Sequence, residues 1–71
     1  MNALEESILS ALRVHARVSA SDIAAIIGSN AKDVQGALHL LDDDGKVLMR
    51  NGFYQLSQAQ RLIMEAREVH Q

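Results

Sequence analysis

Lys32, Gln35 and His39 follow one another at intervals of three and four residues, with Gly36 beside them. That spacing gathers an ammonium, an amide and an imidazole on one side of a helix, while Val34, Ala37, Leu38 and Leu41 line the other. The chemistry such a row performs is recognition: an ammonium meets a phosphate as a point charge, and an amide can pair bidentately with adenine. Catalysis finds no comparable set. The chain has no Ser/His/Asp order in a supporting context, no Gly-rich phosphate loop and no metal-ligand spacing. His15, His39 and His70 fall on different elements and read as surface imidazoles. His39 is set apart by its place on the outer face of this helix. The expectation is a protein that is not an enzyme, with no cofactor, no metal and no small-molecule ligand evident.

The row must be held out by its surroundings. The apolar run Ile23-Ala24-Ala25-Ile26-Ile27 ends at Gly28, where a helix C-terminus wants positive φ, and Asn30 with Asp33 three residues on supplies the next N-cap. Helix, sharp turn, helix is the reading, and a helix presented in this way can enter a major groove. Gly36 costs about 1 kcal/mol of helix propensity, so its presence points to close approach by another backbone, of DNA or of a neighbouring helix.

In chain order, Asn2 and Glu5 cap a first helix from about Ala3 to about His15 that buries Leu4, Ile8 and Leu12. Arg17 and Val18 are too few for a full strand but can pair as a short third strand beside a later hairpin. Ser19 and Asp22 cap the second helix, and the third runs from about Ala31 to about Asp43. After Gly45 the period changes: residues 46–56 read as two strands around Asn51-Gly52, a type I′ turn signal. The register places Val47, Met49, Tyr54 and Leu56 on one face, covering the helices. Arg50 and Phe53 share the outer face, where a guanidinium on the ring is worth about 0.5 to 1 kcal/mol. Ser57 and Gln60 cap a fourth helix whose stripe of Ala59, Leu62, Ile63, Ala66 and Val69 needs cover. The expected core is Leu4, Ile8, Leu12, Val18, Ile23, Ile27, Val34, Leu38, Leu41, Val47, Tyr54 and Leu56, with Met1, Met49 and Met64 as filler.

With 71 residues, 48% of them apolar but only 3% aromatic, the core must be built from Leu, Ile, Val and Ala, which suits packed helices. So short a core makes a homodimer through the C-terminal helix an expected state. The chain lacks cysteine, no apolar run reaches the roughly 18 residues of a membrane span, and a cytoplasmic location is the default. Net charge is −2, against the basic balance expected of a simple nucleic-acid binder. What counts is whether Arg13, Arg17, Lys32 and Arg50 converge on one face. Asp42, Asp43 and Asp44 read as a solvated helix end, or more pointedly as a docking patch for a basic partner.

Asp22-Ile23-Ala24, Ile27-Gly28, Val34, Leu38 to Leu41, Asp44-Gly45-Lys46-Val47 and Tyr54-Gln55-Leu56-Ser57, at their joint spacing, resemble the winged helix-turn-helix superfamily over more than half the chain. In outline the chain also resembles very short members: the plasmid-borne fimbrial regulators, and the small protein accompanying ferrous-iron transporters. The latter usually carries a cysteine-rich wing, which this chain lacks. The resemblance implies a mainly α fold with a small β-hairpin: a winged helix-turn-helix of residues 1–57, with a three-helix core and two-stranded wing, plus an extra C-terminal helix, residues 58–71. It further implies a transcriptional regulator binding double-stranded DNA through the third helix, with Lys32, Asp33, Gln35, Gly36 and His39 toward the duplex. Arg50 and Asn51 would serve on the wing, with Arg17 beside it. Arg or Lys is common in the family where this chain has Gln35 and Gly36. The alternative is a winged-helix protein–protein interaction module without DNA binding.

Overall fold

The computed structural model describes residues 2–69, apart from the side chains of residues 68 and 69. The expectations for Met1, for His70 and for the Val69 side chain lie outside the described residues. In order, the elements are α1 (Ala3–Val14), β1 (Val18–Ser19), α2 (Ala20–Ile27), α3 (Ala31–Asp43), β2 (Val47–Arg50), β3 (Phe53–Leu56) and α4 (Gln58–Val69). The chain is mainly helical with a small antiparallel sheet.

Each helix starts on the polar side chain its sequence offers. The N–H of Glu5 donates to Asn2 Oδ1 at 2.9 Å, Asp22 N–H to Ser19 Oγ at 3.2 Å, Asp33 N–H to Asn30 Oδ1 at 2.8 Å, and Gln60 N–H to Ser57 Oγ at 3.1 Å. These contacts satisfy donors that a helix start otherwise leaves orphaned. Gly28 ends α2 in the left-handed region at φ 71°, and its own N–H and that of Ser29 both reach back to the Ala24 carbonyl. Only a residue without Cβ takes that conformation cheaply, and it is what turns α3 sharply across α2.

Ile8, Leu12, Ile23, Val34, Leu38, Leu41 and Val47 are fully buried, so all three leading helices and β2 contribute to one core. Leu9 and the small Ala20, Ala24 and Ala37 complete it, whereas Leu4, Val18, Ile27 and Tyr54 sit half-buried at its edge rather than inside.

The sheet has three strands in the order β1-β3-β2, not the two of a simple hairpin. Val18 pairs with Tyr54 and Ser19 with Phe53, so the short stub becomes a true edge strand. Ser19 thereby serves both as a strand residue and as the cap of α2. The hairpin register is as expected, Val47 opposite Leu56 and Arg50 opposite Phe53, with Asn51 at φ 53° and Gly52 at φ 82° in the tip. Met49 lies opposite Tyr54 on the expected inner face but is 52% exposed, beside the starts of α2 and α3 rather than in the core.

α4 leaves most of its apolar stripe uncovered in the single chain. Gln60 is buried and Met64 half-buried against the core, while Leu62 and Ile63 are 58% and 51% exposed. A groove lined by Leu9, Gln60, Ile63 and Met64 separates α4 from α1.

Candidate nucleic-acid interface

Lys32, Gln35, Gly36 and His39 are all exposed along α3, opposite the buried Val34, Ala37, Leu38 and Leu41. A Cβ added at Gly36 would meet nothing within 4 Å. No neighbouring helix of the described residues therefore requires the glycine.

Asp33 also lies on the exposed side, and its carboxylate is engaged locally: Asn30 Nδ2 donates to Asp33 Oδ2 at 3.1 Å. The first turn of α3 thus presents Lys32 as an outward cation, with the neighbouring carboxylate held back against its own cap. Toward the other end the charge reverses. Asp42, Asp43 and Asp44 are exposed and no basic residue occupies the last turn.

Gln35 is brought to the hairpin. A shallow cleft lined by Ser19, Ser21, Gln35, Met49, Gly52 and Tyr54 joins the starts of α2 and α3 to the hairpin tip. Ser19 and Ser21 share a hydroxyl–hydroxyl hydrogen bond of 3.2 Å beside it. The two serines, Met49 and Tyr54 were not among the expected site residues. The hairpin register alone placed Met49 and Tyr54 on this side, but nothing local in the sequence placed the serines.

Arg17 and Arg50 lie elsewhere. The Arg17 guanidinium sits over the Phe53 ring, 5.6 Å from its centroid, so the expected Arg50–Phe53 stacking is replaced by an Arg17 one. The cause is the third strand: once β1 pairs with β3, Arg17 lies diagonally beside Phe53, within reach of a long side chain. Arg50 is Phe53's cross-strand neighbour from β2. The expected residues therefore divide between two surfaces, Lys32, Gln35, Gly36 and His39 on α3 and Arg17 and Arg50 on the outer sheet face, with Asn51 exposed at the tip.

Among the described residues no helix is long and apolar enough to cross a membrane. No family model matches the sequence, and no curated protein matches it. Among solved structures the chain is similar to PigF with SAH, at a TM-score of 0.64 and 28% identity. The similarity covers 83% of this chain and 18% of that one, so the chain spans about a fifth of that protein's length.

Proposed function

We propose that the chain is a winged helix-turn-helix module that binds double-stranded DNA and regulates transcription, with α3 in the major groove and the β2–β3 hairpin as its wing. The observation that carries this reading is the exposed row Lys32, Gln35, Gly36 and His39 on a helix held across α2 by the Gly28 turn, with open space at Gly36. Lys32 meets a phosphate, Gln35 reads a base edge, and His39 lies one turn farther along the groove. Arg50 and Arg17 reach flanking phosphates from the wing side. Asp42, Asp43 and Asp44 repel phosphate, so docking excludes the last turn of α3. Residence in the cytoplasm belongs to this reading. The role is binding rather than catalysis, and SAH is the ligand named with PigF.

The test is anisotropy of a labelled duplex of mixed sequence at rising salt. Three phosphate contacts, from Lys32, Arg50 and Arg17, give a slope of log affinity against log salt of about −3. No binding at low salt, or a slope near zero, overturns the reading.

A second reading, a protein–protein interaction module, is favoured by the exposure of Leu62 and Ile63 on α4. The occupant we propose is a second copy of this chain. In an antiparallel pair of α4 helices crossing near Ile63, Arg61 of one copy stands against Glu65 of the other, twice by symmetry. Such a dimer is compatible with the first reading, because it offers two α3 helices to two half-sites.

A further inference from the structure

The outer face of the sheet has a chemistry distinct from that of α3. Strand alternation and register put Arg17, Ser19, Leu48, Arg50, Phe53 and Gln55 on it, and none of these is a carboxylate. Phe53 occupies the middle strand and remains 43% exposed, with the Arg17 guanidinium over its ring and Arg50 directly across from it on β2. A partly exposed aromatic ring beside two cations, with the amide of Gln55 on the same face, is what an unpaired nucleotide requires: a flat surface for its base and positive charge for the phosphates on either side. A duplex keeps its bases stacked on one another and cannot use the ring in this way.

We propose that this face is a second nucleic-acid site, one that takes single-stranded nucleic acid by stacking a base on Phe53. The planar guanidinium of Arg17 marks the place of the base. At an exposed site that cation–π contact is weak, so a base displaces it readily and releases Arg17 to the adjacent phosphate. Arg50 holds the phosphate on the other side. The charge distribution supports the choice of occupant: the acids of α3 lie on another surface, and the strand residues of this one include two arginines and no carboxylate.

The experiment uses the full chain with a labelled oligo-dT strand, an oligo-rU strand of the same length and a mixed duplex, each followed by anisotropy. A 2-aminopurine strand reports stacking through quenching of its fluorescence. The wild-type chain is expected to bind both single strands and quench the 2-aminopurine, and preference between dT and rU says which source the site favours. Phe53→Leu, whose folding is checked by its thermal midpoint, is expected to lose about tenfold in single-strand affinity together with the quenching, since a base on an aromatic ring is worth roughly that much. Its duplex affinity is expected to change less than about twofold, because the base-reading row on α3 and both arginines are kept and a duplex offers no unstacked base to the ring. Single strands that bind wild type and Phe53→Leu equally, or that fail to bind at low salt, overturn this proposal. Loss of duplex binding alone overturns the α3 reading and leaves this one standing.

Discussion

Asn30 and Asp33 hold each other in both directions: the Asp33 N–H donates to Asn30 Oδ1 at 2.8 Å, and Asn30 Nδ2 donates back to Asp33 Oδ2 at 3.1 Å. The pair closes the first turn of α3 and parks a carboxylate at the positive end of the helix dipole, where it is least costly. It also keeps that carboxylate from standing free beside Lys32.

Asn30→Ala removes both bonds. The expected cost is about 1 kcal/mol of stability by urea titration, the usual loss of an N-cap. Duplex affinity is expected to fall as well, because Asp33 is released toward the phosphates.

Leu38→Ala removes a fully buried side chain at the centre of α3. Cavity formation puts the expected loss at about 2 to 5 kcal/mol, a large share of the stability of so small a domain. A shift below about 0.5 kcal/mol in denaturant titration would place Leu38 outside the core.

Gly36→Ala is expected to do opposite things to fold and function. The added methyl meets open space and improves helix propensity, so the thermal midpoint rises, corresponding to about 0.5 to 1 kcal/mol. Duplex binding weakens if a DNA backbone approaches where the Cβ would stand. Unchanged affinity in the more stable variant would remove Gly36 from the interface.

Lys32→Ala and Gln35→Ala separate charge from readout. The first is expected to weaken binding to all duplexes alike and to reduce the salt slope by about 1, whereas the second flattens preference among sequences. Chemical-shift mapping that puts the duplex footprint away from α3 rejects both expectations.

Leu62→Glu tests the α4 pair. Wild type is expected to sediment as a dimer at tens of micromolar, and the variant as a folded monomer, since Leu62 is exposed in the single chain and its replacement leaves the core intact. A wild-type chain that stays monomeric, with and without DNA, rules out the pair.

The helices were legible because each carries its own punctuation. Asn2, Ser19, Asn30 and Ser57 stand ahead of periodic apolar residues, and all four accept the expected backbone N–H. The hairpin was legible because Asn51-Gly52 admits little besides a tight turn. What local sequence could not show was how separate segments meet. β1 is two residues long and becomes a strand only because β3 offers it an edge, and the transfer of the Phe53 contact from Arg50 to Arg17 follows from that pairing. The stripe of α4 was legible as one the core does not cover, and Leu62 and Ile63 are exposed; what apolarity did not show was that Gln60, whose N–H donates to the buried Ser57, faces the core.

The double duty of Ser19 bears on the assembly of the chain. The α2–α3 turn and the β2–β3 hairpin each join neighbours in sequence, so each closes a short loop within microseconds or so. The pair between Ser19 and Phe53 joins segments far apart in sequence, so closing it costs more chain entropy than either local turn. Because the same residue starts α2, that pairing also ties the orientation of the helix pair to the hairpin, so the two surfaces described above are positioned by one residue.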